Sequence, residues 1–401
     1  MDHSLKETEL DIDRQIKEVR DEFPILRYKT YMNSAAHGPA LRRVWDAVQD
    51  WWRFRMCEDR GARTPDAKGE AARLLHADPD EICWTSRVSQ GLNMVASMLD
   101  LERGDNVVVT DLAYPSNVYV WLPFRQRGVE IRRIRHRDGR IETADFERAI
   151  DDGTRVLCIS HVEWTSGLKY DVKALAEIAH AHGAFLVDDP YQALGAIDVD
   201  AHCDEVDFLA TGSEKWLCCP SLAGIFYVRR ELVDAFEPTY RLYELVDGLW
   251  SHGAPWERPD HDNLADYDRP LVSGAEKFYR GCVSGDAVWG FHAALSYFNE
   301  LGAKQIGRRV RRLSGYLIDG LRELGVKVNT PLEPEERAGL VTYTTGRHGL
   351  DAESYRALLG SNIVVALRYA AEIGGIRVST HFFNTEEEID RLLKVQKVLL
   401  T

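Results

Sequence analysis

An α/β fold with a mostly parallel sheet, followed by a smaller α+β unit, is what this 401-residue sequence predicts. Three observations lead there. Short apolar runs rich in β-branched residues recur between positions 36 and 285, helical periodicity fills the gaps between them, and the texture changes after 285. NVVVT (Asn106 to Thr110), RVLCIS (Arg155 to Ser160), AFLVD (Ala184 to Asp188) and GIFYV (Gly224 to Val228) read as buried strands. Between two of them Val172, Leu175, Ile178 and Ala179 share one helical face, and Gly183 supplies the stop. Strand, helix and strand at this spacing form a βαβ unit, so helices cover a parallel sheet.

The flanking regions differ. Residues 1–35 are charged and predicted helical, ending at the apolar patch Phe23, Pro24, Ile25 and Leu26. Residues 36–285 make the large unit and 286–401 the small C-terminal one. In the latter a long helical stretch (Ala287 to Leu324) precedes the strand candidates GLVTYT and GIRVS, and Thr385 with Glu388 forms a capping box before the last helix. The segment from Leu245 to Pro270, rich in Trp, Pro, Gly, His and Asp, reads as a long loop. Its Trp250, His252 and Trp256 suit a substrate entrance or a dimer contact equally well.

Composition narrows function. Fifty basic against 64 acidic side chains give a net charge of −14, and no long Lys/Arg run is present. That excludes gripping nucleic acid or anionic lipid and points to small molecules. No apolar stretch approaches the roughly 18 residues that cross a bilayer. The charged N-terminus lacks the apolar region of a secretion signal, so a cytoplasmic location is expected. Seven scattered cysteines without a CxxC pair argue against a disulfide framework or a structural zinc site.

Chemistry concentrates in two segments. In TGSEKWLCCPSLAGIFYV, Lys215 sits in a turn of small residues between two strand candidates; alone it reads as a surface lysine. Upstream, GAFLVDDPYQALG ends a strand in two carboxylates, Asp188 and Asp189, which alternation places on opposite faces. Ligands of parallel α/β sheets bind beyond the carboxyl ends of the strands, and a buried carboxylate there needs a cation. A third segment, TSRVSQGLNMVASML, lets Ser89 cap a helix with Leu92, Val95, Ala96 and Leu99 on its apolar face. That helix start suits a phosphate dianion, although an ordinary N-cap serine leaves the same trace.

Together these segments resemble the class V aminotransferase family of fold-type I pyridoxal-phosphate enzymes, which includes cysteine desulfurases, selenocysteine lyase, kynureninase and isopenicillin N epimerase. The resemblance runs from YMNSAAHGPA at 31 to HFFNTEEEID at 381. It implies pyridoxal 5′-phosphate as cofactor, an amino acid as substrate and a homodimer with the active site at its interface. It implies Lys215 as the cofactor-bound lysine that moves the Cα proton, Asp189 as the partner of the pyridine nitrogen, and Gln192 as donor to the ring's phenolic oxygen. Val88, Ser89 and Ser213 would hold the phosphate, with Arg87 replacing the family's usual glycine, and Ser284 would contact the phosphate of a partner chain. Tyr114 is the stacking candidate, though a core aromatic leaves the same signal, and Asn117 lies close by. Arg377 would bind the α-carboxylate, while Asn33, Ala35, Ala36, His37 and Trp164 would line the substrate side.

Departures from the family bear on the reaction. Glu214 precedes the lysine where desulfurases carry histidine, and it is assigned a proton-relay role beside Lys215. The interval VVALRYAAEIGGIRVS holds no cysteine, so a persulfide-forming desulfurase is not expected. Transamination is the favoured outcome, with β-eliminating C–S lyase or epimerase chemistry as alternatives and a non-catalytic scaffold as the different-class reading.

Overall fold

The computed structural model describes residues 12–57, 65–249 and 268–400. The chain enters through the helix Ile16–Asp21 and strand β1 (Thr30–Tyr31). The central sheet follows, from β2 (Ile82–Thr85), β3 (Asn106–Thr110), β4 (Glu130–Ile134), β5 (Thr154–Ser160), β6 (Phe185–Asp189), β7 (Phe208–Ala210) and β8 (Gly224–Val228). Its order is β2-β8-β7-β6-β5-β3-β4. Five strands from β7 to β4 run parallel, and β8 and β2 close one edge antiparallel.

Covered on both faces, the central strands have no polar side to spare. Within β3 the side chains of Val107 and Val109 join one apolar core and Val108 another; in β5, Val156 and Cys158 oppose Leu157 and Ile159 in the same way. Period-two alternation therefore sends neighbouring residues to opposite sides of the sheet. The helix Val88–Met98 packs on one side through Val88, Leu92 and Val95, and the helix Val172–Ala181 on the other through Val172, Leu175 and Ala179. The four strands expected from the sequence are all present, and Gly183 follows the second helix at φ +73°. Strands β2 and β4 were not anticipated: both lie at edges, and Glu130–Ile134 alternates charged with apolar residues.

Beyond the sheet, the expected single helical stretch from 287 to 324 is two helices, Gly285–Leu301 and Ala303–Glu323. Gly302, at φ +79° and ψ +119°, serves both as the end of the first and the start of the second, a conformation that glycine tolerates cheaply. A four-stranded antiparallel sheet follows, ordered β12 (Ala366–Ala370), β13 (Ile373–Ser379), β10 (Leu340–Thr344) and β9 (Lys327–Val328). Strand β11 (Ile363–Val364) pairs with β1, which ties the N-terminal segment to this C-terminal region. Before the closing helix Glu386–Leu400, the Thr385 N–H donates to Glu388 Oε2 at 3.3 Å, one half of the expected capping box. Among the described residues no helix is long and apolar enough to cross a membrane.

Candidate active site

The carboxyl ends of β5 and β6 and the start of the helix Val88–Met98 surround a cavity of about 290 Å³. Asp189 ends β6 on the same side of the sheet as Val187, which is the side of that helix; Asp188 lies on the opposite side with Leu186. Both carboxylates are buried, at 5% and 0% exposure, but their surroundings differ. Asp188 Oδ2 lies 2.9 Å from His161 Nδ1. Asp189 Oδ1 accepts the Tyr191 N–H at 3.0 Å, and its nearest cationic influence is Lys215. Burial pushes the Asp189 carboxyl up to about 6, against the pull of Lys215.

Lys215 reaches the same cavity from the loop after β7. Its Nζ stands 3.8 Å from the Tyr191 ring centroid and 5.4 Å from that of Tyr114. Burial lowers its ammonium to about 8; Asp189 and Glu214 oppose that shift and Arg377 adds to it. The loop itself is pinned on both flanks of the lysine. The neighbouring Trp216 donates from Nε1 to Gln192 Oε1 at 2.8 Å, and its carbonyl lies 2.8 Å from His381 Nε2. On the other flank, the Gly38 N–H donates to the Glu214 carbonyl at 2.7 Å. A Cβ on Gly38 would fall 2.0 Å from the Lys215 carbonyl, so only glycine permits this approach of backbone to backbone.

Most residues singled out from the sequence converge here. His37, Val88, Ser89, Tyr114, Trp164, Asp189, Gln192, Glu214 and Lys215 all line the cavity. Tyr114 is 43% exposed and meets Trp164 edge-on at 5.5 Å, so it is no core aromatic. Arg377 is 2% exposed and stands just behind the wall, donating from one terminal nitrogen to the Trp164 carbonyl at 2.9 Å. Burial, with Arg368 nearby, lowers its guanidinium to about 9.

Other expectations need correction. Ser89 does not cap its helix: Arg87 is the N-cap, in extended geometry, and Val88 and Ser89 open the first turn. Gln90 takes the bracing role, its Oε1 accepting the Ser86 N–H at 2.7 Å. Of the two expected alanines Ala36 lines the cavity and Ala35 does not, because Ala35 is held by its backbone, with its N–H on Ser379 Oγ and its carbonyl on Gln192 Nε2. Asn33 is likewise behind the wall, bridged to Ser379. Ser213 is turned away, its hydroxyl donating to the Pro220 carbonyl at 2.6 Å. Ser284, expected to serve the site of a partner chain, is exposed at the N-cap of Gly285–Leu301 and bonded to Asp286, a position that does not contradict that expectation. Trp250, His252 and Trp256 lie outside the described residues.

Several lining residues were not identified from the sequence as site residues: Arg87, Ser116, Ser160 and Tyr191. Tyr191 lies within the same DDPYQ loop as Asp189, so the loop motif carried the signal. Arg87 was visible only as bulk where a glycine was expected.

The donor set fits a phosphorylated pyridine aldehyde. An amine with a lowered pKa faces a buried carboxylate; ring faces lie beside both; and the N–H groups of Val88 and Ser89 meet no acceptor among the described residues. Arg87 adds a cation at the same helix start.

Comparison with known proteins agrees. The family described as "Aminotransferase class-V" matches residues 30–392. A probable cysteine desulfurase of Methanothermobacter thermautotrophicus is 26% identical, covering 94% of this chain and 96% of that protein. An uncharacterized aminotransferase, YcbU, of Bacillus subtilis is 28% identical, covering 93% and 95%. The apo structure of a cysteine desulfurase from Thermococcus onnurineus NA1 superposes with a TM-score of 0.83 at 25% identity, over 96% of this chain and 98% of that one.

These names overturn the exclusion of a persulfide-forming desulfurase. That exclusion rested on the absence of cysteine from one interval, which the structure folds as the hairpin β12–β13. Proteins similar along almost the whole chain are named cysteine desulfurases. A single segment was too little to decide the reaction, because the chemistry at Cα depends on the lysine, the carboxylate and the cofactor. With its fold, its lysine–carboxylate pair and a match across residues 30–392, the chain belongs to the class V aminotransferase family and takes pyridoxal 5′-phosphate as its cofactor.

Proposed function

We propose that this protein acts on an α-amino acid by removing the Cα proton with Lys215, and that the bond broken next joins Cβ to sulfur. The observation that carries the first part is the shared cavity of Lys215 and Asp189. A lysine of ordinary pKa would hold its proton almost completely at neutral pH; one lowered to about 8 is neutral in roughly a tenth of molecules at pH 7. Such an amine can both attack an aldehyde and accept a proton.

Bound here, pyridoxal phosphate supplies an electron-poor ring that takes up the electron pair left at Cα. The chain's own residues do the rest. Asp189, buried and fixed by the Tyr191 N–H, holds a proton at the ring nitrogen. Tyr114 offers a ring face for stacking. The open N–H groups of Val88 and Ser89, with the helix dipole behind them, hold the phosphate. Arg377 orients the substrate carboxylate, and Glu214 exchanges protons with Lys215.

Cleavage of carbon–sulfur bonds is supported by the names of the relatives, several of which are cysteine desulfurases. Transamination is the second reading, favoured by the Bacillus subtilis relative named an aminotransferase. Incubation of the holoenzyme with single amino acids separates the two. Sulfur release from cysteine or cystine, with the visible cofactor band retained, supports lyase chemistry. A keto acid formed in step with loss of that band supports transamination and overturns the C–S reading.

A further inference from the structure

Tyr191 stands between the two residues that the reaction uses, and the mechanism gives its ring no part. Its backbone N–H donates to Asp189 Oδ1 at 3.0 Å. Its ring centroid lies 3.8 Å from Lys215 Nζ, well inside the roughly 6 Å over which an aromatic face attracts a cation. The loop after β6 supplies this ring, and the loop after β7 supplies both the lysine and the space that the ring occupies. Gly212 makes that space, because a Cβ there would fall 2.7 Å from the Tyr191 hydroxyl oxygen.

The surroundings of Lys215 single this ring out. Among the described residues the amine forms no salt bridge; Asp189 and Glu214 favour its charged form through space, while burial, above all, and Arg377 oppose it. The second ring in reach, Tyr114, is 5.4 Å away and is the face offered to the cofactor. Burial and the adjacent Glu214 carboxylate push the Tyr191 phenol upward, so the ring stays neutral. A neutral ring turned face-on to a desolvated amine stabilises the ammonium through its quadrupole and does little for the uncharged form.

Abstraction of the Cα proton breaks the C–H bond, forms an N–H bond at Nζ and leaves the electron pair to the cofactor ring. Lys215 therefore has to carry a positive charge in a buried place. We propose that Tyr191 is a positioning residue for this step: its ring face receives the newly formed ammonium and holds Nζ at the cavity. This rests on the reading of Lys215 as the base at Cα, and it adds the residue that steadies that base.

The test is the pH dependence with which the full-length apoprotein captures pyridoxal 5′-phosphate at Lys215, followed by the visible band that forms. Capture needs the neutral amine and the ring favours the ammonium, so loss of the ring should lower the pH at which capture reaches half its plateau rate. Tyr191→Leu is expected to move that midpoint down by about half a unit or more, and Tyr191→Phe, which keeps the face, to leave it within about 0.2 units. Replacement of Tyr191 by pentafluorophenylalanine keeps the shape of the phenylalanine variant and reverses the ring's quadrupole. It should reproduce the shift, which keeps the proposal open to refutation even where the leucine variant does not fold. An unmoved midpoint in the fluorinated variant, or a phenylalanine variant that shifts as far as the fluorinated one, overturns the proposal while leaving the cofactor site intact. A parent protein that captures no cofactor at Lys215 refutes the underlying reading and the proposal together.

Discussion

Asp188 and Asp189 are neighbours on one strand, both buried, yet they end in opposite kinds of environment. On one side of the sheet Asp188 meets His161 at 2.9 Å, in an enclosed pair. On the other, Asp189 faces a cavity it shares with Lys215, which forms no salt bridge among the described residues. Strand alternation alone creates the split. It teaches that a buried charge becomes functional where it opens on a cavity: Asp188 also keeps one oxygen, Oδ1, without a partner, but it does not line the cavity. The same backbone step gives one carboxylate a structural partner and leaves the other for a ligand.

Exchanging the two residues should expose this difference most strongly. Asp189→Asn is expected to lower turnover about 10²–10³-fold with little change in melting temperature. Asp188→Asn should do the reverse, costing roughly 1–3 kcal/mol of stability through the His161 pair and affecting turnover far less. Steady-state rates and thermal melts on the two variants decide; equal kinetic losses would break the comparison.

Glu163 is an intermediate case, in the loop that follows β5. Its Oε1 accepts from Thr110 and Tyr170, at 2.8 and 2.9 Å, while Oε2 is buried without a partner. Burial raises its carboxyl from 4.5 to about 8. Between those values the folded protein binds more protons than the unfolded chain, so this group's stabilising contribution is complete below 4.5 and falls as pH rises to 8. Glu163→Gln removes the titration. Its stability advantage over the parent should therefore be larger at pH 8 than at pH 5, by on the order of 1–3 kcal/mol. Denaturant melts at the two pH values measure it, and a constant difference would count against it.

Smaller effects sharpen the same contrast. Capture of pyridoxal phosphate by the apoprotein needs the neutral amine of Lys215. With that group lowered to about 8, the rate should climb roughly tenfold per pH unit below pH 8 and level off above it. A rate still climbing toward pH 10 would mean an ordinary lysine. Least of all, Glu214→Gln should change turnover by only about threefold while moving the pH profile, as expected of a proton relay beside the lysine. An unchanged profile would remove Glu214 from the mechanism.

Much of this arrangement was legible in the sequence, and the limits of legibility have physical reasons. Buried strands announce themselves by uniform apolarity, as Asn106–Thr110 does, whereas the half-solvated edge strand Glu130–Ile134 does not. Lys215, Asp189 and Tyr114 were readable through the family resemblance, because alone a loop lysine reads as a surface residue and an aromatic as a core one. Ser213 and Ala35 were misplaced because hydrogen bonds, from Ser213 to the Pro220 carbonyl and from Ala35 to the Ser379 and Gln192 side chains, hold them away from the cavity. The break at Gly302 was missed because apolar periodicity continues through it from one helix to the next. The placement of Arg368 near Arg377 depends on hairpin register, which no local pattern states.

Borohydride reduction of the holoenzyme, followed by peptide mass mapping, tests the central claim most directly. The account predicts a reduced cofactor adduct on the peptide containing Lys215, lost in Lys215→Ala together with the visible band. An adduct confined to a different lysine, or a colourless protein that takes up no cofactor, would contradict it.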